Sequence, residues 1–453
     1  MLPLPPRSTV GPPLGLALAL VACRAELDAP DVIGGPSAAG EPAPRTTPPD
    51  PPPGSADPNR GPGPSVPELS PLEPVVRRLT KGEYIHTVED QLALTLSAAD
   101  RRLLPDDRPL EGFVNIATGQ TALPNHVWAY AQLAERIANT PEAGDFITAH
   151  GCDSTSTACG RDFVRRAGAL LFRRPPPDAV VGEYATVFDA AVAEGLDFEA
   201  SARWTLRALL QAPEFLYRLE DETKGTEPRT VGGYEMATRL SYLLWGTAPD
   251  AALMEAAANG ALDTPAGVLA QTERLLSDAD RVNRVLDRFI LDWSGLESIP
   301  DDDGLKSELQ RSTIAFYEDF VARGGDLFAL LTQPSAHLTP TLAQAYGLEP
   351  TGPGVRAYDL RDVENRGGLL GQPGVLAGMT NADGGAIVAR GLFLQRQLFC
   401  GDTPDPPASL QESIDRFAAE QPPDASERQI ADVRMQRNEC AVCHSAFDPL
   451  AFD

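Results

Sequence analysis

Basic residues are in short supply in this chain: 38 Lys and Arg stand against 64 Asp and Glu, giving a net charge of −26 over 453 residues. A surface of that sign repels phosphate backbones and anionic headgroups, so the expected partners include no nucleic acid. Long hydrophobic runs are missing too. The most apolar stretch, LGLALALVAC from Leu14 to Cys23, is far short of the ~20 residues that cross a bilayer and matches instead a signal-peptide core. Strand-type alternation is scarce, which argues against a β architecture. The chain has no G-x-x-x-x-G-K-[ST], G-x-S-x-G or H-E-x-x-H stretch, and no G-x-G-x-x-G after a strand, so the common nucleotide, acyl-transfer and zinc-hydrolase signatures are absent. With six cysteines, five histidines and five methionines, any reading built on metal ligands has few residues to choose from.

What is present begins with the leader. Leu20, Val21, Ala22 and Cys23 resemble the lipobox of bacterial lipoproteins, in which the cysteine becomes the lipidated first residue of the mature chain. This implies a signal peptide over 1–23, lipidation at Cys23, and a place in the bacterial cell envelope, lipid-anchored on the periplasmic or outer face of a membrane. An ordinary secretory signal is the alternative, because the segment before it, MLPLPPR, offers only Arg7. From 24 to 75, Pro, Gly, Ala, Ser and Asp dominate. Such a composition buries too little apolar surface to offset chain entropy and predicts a disordered tether.

Helical patterns fill most of the remainder, so the expected fold is mainly α: several helical modules after the Pro-rich tether, then a loop-rich module at the end. Leu79, Tyr84, Val88 and Leu92 recur at helical spacing, with Thr80 and Glu83 placed as a capping box. Val127, Tyr130, Leu133, Ala134 and Ile137 form the apolar face of a second helix, and Met236, Leu240, Leu243 and Leu244 the stripe of another. The expected modules are 76–145, 146–215, 216–347 and 348–453. His86 and His126 read as surface or partly buried residues, Asp106 and Asp107 as solvated surface, and Arg173 with Arg174 as the charged end of a helix. Cys152 and Cys159 bracket DSTSTA, a small polar loop, and in an oxidising compartment predict a local disulfide.

The stretch NECAVCHSAFDPLAFD holds Cys440, Cys443 and His444 in C-x-x-C-H spacing, the attachment pattern of c-type haem. In that chemistry both thiols bond to haem vinyl groups, and the adjoining histidine lies under the iron as an axial ligand. Random placement of these few residues produces the pattern in roughly one chain in a thousand, so the signal is specific. The histidine's other ring nitrogen needs an acceptor, and a loop carbonyl in SAFDPL is expected to supply it. For the sixth iron ligand, Met379, Met435 and His337 are the candidates, with Met379 preferred. Without one, the iron is five-coordinate or takes water, and oxidative catalysis becomes a further reading.

Several stretches, LTKGEYIHTVEDQLA, LLPDDRPLEGFVN, LFRRP, LLQAPEFLYRLE, ATRLSYLLWGTAPDAAL, RGGLLGQPGVLAGMT, ARGLFLQRQLFCGDTPDPP and CAVCHSAFDPLAF, occur in one order. Together they resemble exported multi-module proteins of unknown function from planctomycetes and myxobacteria, whose last modules are cytochrome-c-like. The resemblance covers residues 76–453. Three departures stand out: TNADGG replaces a Ser-His-Pro-type stretch at Thr380–Gly385, Ala451 replaces a glycine, and the family continues past the terminal motif, which implies truncation here.

Two functional readings follow. In the first, the protein is an envelope-anchored, cytochrome-c-like carrier with covalent haem c and a redox partner in the envelope. In the second it is a non-redox scaffold or polymer-binding lipoprotein. There, Cys400 joins Cys440, Cys443 and His444 in a Cys3His zinc site, or pairs with one motif cysteine as a disulfide staple.

Overall fold

Thr80 opens the first helix as its sequence dictates. Its hydroxyl accepts from Glu83 N and the Glu83 carboxylate accepts from Thr80 N, closing the capping box over α1 (Lys81–Leu92). The computed structural model describes residues 76–451 except 111, 153, 221–229, 298, 300–303, 364–365, 381–385, 402–410 and 423. Cys23, the expected signal peptide over 1–23 and the expected tether over 24–75 lie outside the described residues.

Helices α2 (Pro124–Ala138), α3 (Pro141–His150), α4 (Thr157–Leu171), α5 (Asp178–Ala193) and α6 (Phe198–Leu209) follow. They share a core with α1 built around the fully enclosed Tyr84, Phe163, Phe188 and Phe215. Stretches 76–145 and 146–215 therefore fold around common apolar surface. A two-residue antiparallel ladder, β1 (Arg77–Arg78) on β2 (Tyr217–Arg218), fastens the beginning of this unit to its end. The disulfide Cys152–Cys159 is formed, with Cα atoms 5.9 Å apart, and joins the preceding loop to the first turn of α4.

Burial corrects several surface assignments. Asp107 is enclosed, 2.7 Å from the buried Arg78 guanidinium, and it also accepts from Lys81 N. His126 is buried, and its Nδ1 accepts from Leu123 N at the start of α2. Val127 and Leu243, placed above on apolar stripes, are exposed; each sits at the edge of a stripe whose centre already fills the contact. Arg173 has a left-handed backbone at φ 61°, a conformation that costs an ordinary residue roughly 1–2 kcal/mol. Its buried guanidinium donates to the carbonyls of Leu171, Glu214, Phe215 and Tyr217, and this fan of bonds offsets the cost. The helix-end role expected of Arg173 is thus one contact of four.

A second core gathers α7 (Gly233–Leu244), α8 (Ala251–Ala258), α9 (Pro265–Leu276) and α10 (Ala279–Trp293) around Leu240, Trp245, Leu253 and Leu275, with Met236 packed beside it. A third core joins α11 (Leu305–Ala322) to the antiparallel pair β3 (Ser335–Leu338) and β4 (Arg356–Asp359), in register from Ser335 with Asp359 to Leu338 with Arg356. The last stretch holds α12 (Pro373–Gly378), α13 (Ile387–Phe393), α14 (Gln411–Ala419), α15 (Glu427–Met435) and α16 (Asn438–Phe447). The mainly α expectation holds, and the two small sheets named are the ladders found among the described residues.

Candidate functional site

Cys440, Cys443 and His444 all lie on α16. At about 100° per residue, positions separated by three and four fall within one arc of about 100°, so both sulfurs and the imidazole emerge on the same side. The helix starts at the motif because Cys440 N and Ala441 N donate to Arg437 O at 3.0 and 2.7 Å. Arg437 is anchored in turn by its ion pair with Glu420 and by stacking 4.9 Å above the Phe417 ring of α14. Neighbouring Val442 points the other way and is 83 % exposed.

Both motif cysteines are half-buried and carry free thiols, so neither is stapled to Cys400. Burial, followed by the nearby Glu439, raises the Cys440 pKa. Among the described residues no cluster of three or more His, Cys, Asp or Glu is arranged to hold a metal ion. Cys400 is exposed, with a left-handed backbone, where α13 ends after a wider π turn over Leu394–Leu398.

The His444 ring packs on Phe447, centroids 5.0 Å apart. Its Nδ1 lies 3.1 Å from Asp448 Oδ1. This differs from the loop carbonyl expected above: the helix runs through SAF, so a residue four positions on comes under the ring. Asp448 is wholly buried, and its other oxygen receives Arg434 Nε at 2.9 Å and Nη2 at 2.5 Å. A carboxylate so paired can only accept, which puts the imidazole proton on Nδ1 and leaves the Nε2 lone pair for a metal.

The surrounding helices hold this arrangement by close backbone packing. A Cβ at Gly391 on α13 would sit 2.2 Å from Phe447 O, so the glycine is what lets α13 lie against the end of α16. Glu427 at the start of α15 accepts from Ala386 N and Ile387 N at 2.8 and 3.3 Å, filling the donors at the N-terminus of α13. Phe393 then meets Trp293 of α10 edge-on at 4.6 Å.

The structure thus brings Cys440, Cys443 and His444 together, with Asp448 and Arg434 behind them. The other named candidates stand on separate elements. Met379 is buried where α12 ends, and Gly378 beside it runs along the Ser294 carbonyl. Met435 closes α15. His337 is on β3, its Nε2 3.9 Å from Asp319, and burial lowers its pKa. Sequence reading missed Asp448 and Arg434. The spacing of four between His444 and Asp448 was the available signal for the first; only the packing of α15 on α16 reveals the second.

Comparison with known families places four models along the chain. Residues 77–141 match a protein of unknown function, PSD3 (DUF1587), and 159–220 match PSD5 (DUF1595). Residues 231–348 match PSD4 (DUF1592), and 366–453 match PSCyt3 (DUF1588), again of unknown function. No curated protein and no solved structure matches the chain. The protein therefore belongs to the multi-module proteins that carry these four consecutive domains of unknown function, with the Cys440, Cys443 and His444 site in the last of them.

Proposed function

We propose that the C-terminal module binds haem c covalently through Cys440 and Cys443, with His444 as an axial ligand, and passes single electrons. The observation that carries this reading is the three-residue face of α16: two free thiols beside an imidazole whose Nδ1 is already committed to Asp448. The residues fit the group. Each thiol adds across a vinyl group, sulfur to one carbon and hydrogen to the other, so no net oxidant is needed. Haem, once bound, supplies the one-electron iron couple. Covalent attachment retains the cofactor outside the cytoplasm, and His444 is held in the tautomer that binds iron through Nε2.

Met379, buried on a separate element at the end of α12, is the residue we propose would supply a second iron ligand. Lipidation at Cys23 would anchor the protein in the bacterial envelope, with a redox protein there as partner. The competing reading is a non-redox scaffold with the motif as a disulfide or zinc staple; it is the less favoured, since both motif thiols are free and no zinc-type cluster stands among the described residues.

The test is an alkaline pyridine haemochrome spectrum and a haem-stained denaturing gel, on protein expressed with c-type haem maturation machinery. A reduced α band at the c-type position that survives denaturation is the expected result, lost in Cys440→Ala with Cys443→Ala. A colourless product, alongside a control cytochrome that matures, overturns the proposal. Met379→Ala then reads the sixth ligand through the visible spectrum of the oxidised protein.

A further inference from the structure

Resting on that reading, we infer that Asp448, clamped by Arg434, is a positioning residue that sets the electron affinity of the site through His444 Nδ1. Three observations carry it. Asp448 is wholly buried, so its carboxylate acts without water between it and the ring. Its two oxygens are divided: Oδ1 faces His444 Nδ1 at 3.1 Å, and Oδ2 takes both Arg434 contacts at 2.5 and 2.9 Å. The clamp spans three consecutive elements, since Arg434 is on α15, His444 on α16, and Asp448 begins the turn Asp448–Ala451 that follows.

A carboxylate accepting the Nδ1 proton increases the basicity of Nε2, and a more basic axial nitrogen favours the ferric over the ferrous state. A backbone carbonyl has no net charge and does this more weakly. Arg434 moderates the same effect, because part of the negative charge of Asp448 is neutralised at Oδ2. The two residues therefore act with opposite sign on one equilibrium.

The experiment is spectroelectrochemical titration of the full-length, haem-loaded protein, with Asp448→Asn and Arg434→Gln beside the wild type. Asp448→Asn is expected to shift the oxidised-to-reduced ratio at least tenfold toward the reduced form, equivalent to about 59 mV for one electron. Arg434→Gln is expected to shift it the other way, toward the oxidised form, and it reads the same contact should Asp448→Asn not accumulate. An unchanged or lowered midpoint in Asp448→Asn, or an unchanged or raised one in Arg434→Gln, overturns the inference while leaving haem binding intact. A wild-type protein that takes up no haem overturns the proposed function first, and the haemochrome spectrum separates that outcome from the other.

Discussion

Replacing Gly391 by alanine tests whether the approach of α13 to α16 is what builds the site. The added Cβ would meet Phe447 O at 2.2 Å, its carbonyl carbon at 2.7 Å and its ring at 3.2 Å. Two of those atoms are backbone and cannot swing aside, so the helices must part by on the order of 1 Å to restore ordinary contact. Overpacking of this kind costs about 1–3 kcal/mol. Against it stands the intrinsic gain from Gly to Ala in a helix, up to about 1 kcal/mol. The clash wins, and a net loss of about 1–2 kcal/mol is expected, a 5- to 30-fold rise in opening. Gly182 on α5 supplies the control: its Cβ would meet only the tip of Arg161, at 3.1 Å, a side chain held by an exposed, long 3.5 Å hydrogen bond to Asp178 O that can give way. Gly182→Ala is expected to stabilise. Hydrogen exchange on the whole chain reads both, with protection lost at α13 and α16 in the first variant and unchanged or increased at α5 in the second. Full protection of α16 in Gly391→Ala would refute the packing argument.

The disulfide should matter in proportion to the short loop it closes: replacing Cys152 and Cys159 by serine is expected to cost about 2–3 kcal/mol, seen as a lower urea midpoint that reductant no longer changes. Two titratable groups give opposite pH dependences. Burial, then Arg284, lowers His86 from 6.5 to about 4, so between those values the unfolded chain takes a proton the folded chain refuses. Stability then falls as the pH drops through that window, by at most about 1.4 kcal/mol per pH unit for one group, and His86→Gln should flatten the slope. Asp287 runs the other way. Burial, then Glu318, raises it from 3.8 to about 6, so its contribution is fully present below 3.8 and lost as the pH rises through 6. Asp287→Asn should therefore raise the urea midpoint at pH 8 and leave it unchanged near pH 3; equal shifts at both would contradict the assignment.

Much of this protein was legible in one dimension because the governing interactions are local. The capping box of Thr80 with Glu83 reaches three residues, the Cys152–Cys159 pair seven, and the C-x-x-C-H face of α16 needs only helical pitch to align its three groups. Pattern also gave the helical class, since the 3.6-residue repeat recurs along the chain. It misjudged the edges of stripes, at Val127 and Leu243, because periodicity marks a face but not how wide a neighbour covers it.

What the sequence determined by itself was a set of helices, the Thr80 cap, a local disulfide and the placing of Cys440, Cys443 and His444 on one helix face. Tertiary structure alone decided which charges are buried and what stands behind the imidazole. Asp107 belongs to Arg78, and Arg434 to Asp448, through distances in sequence of 29 and 14 residues. Gly391 has meaning only because the end of α16 presses on it. These contacts depend on how helices pack, and packing is set by the summed shape and solvation of many side chains rather than by any short run of them.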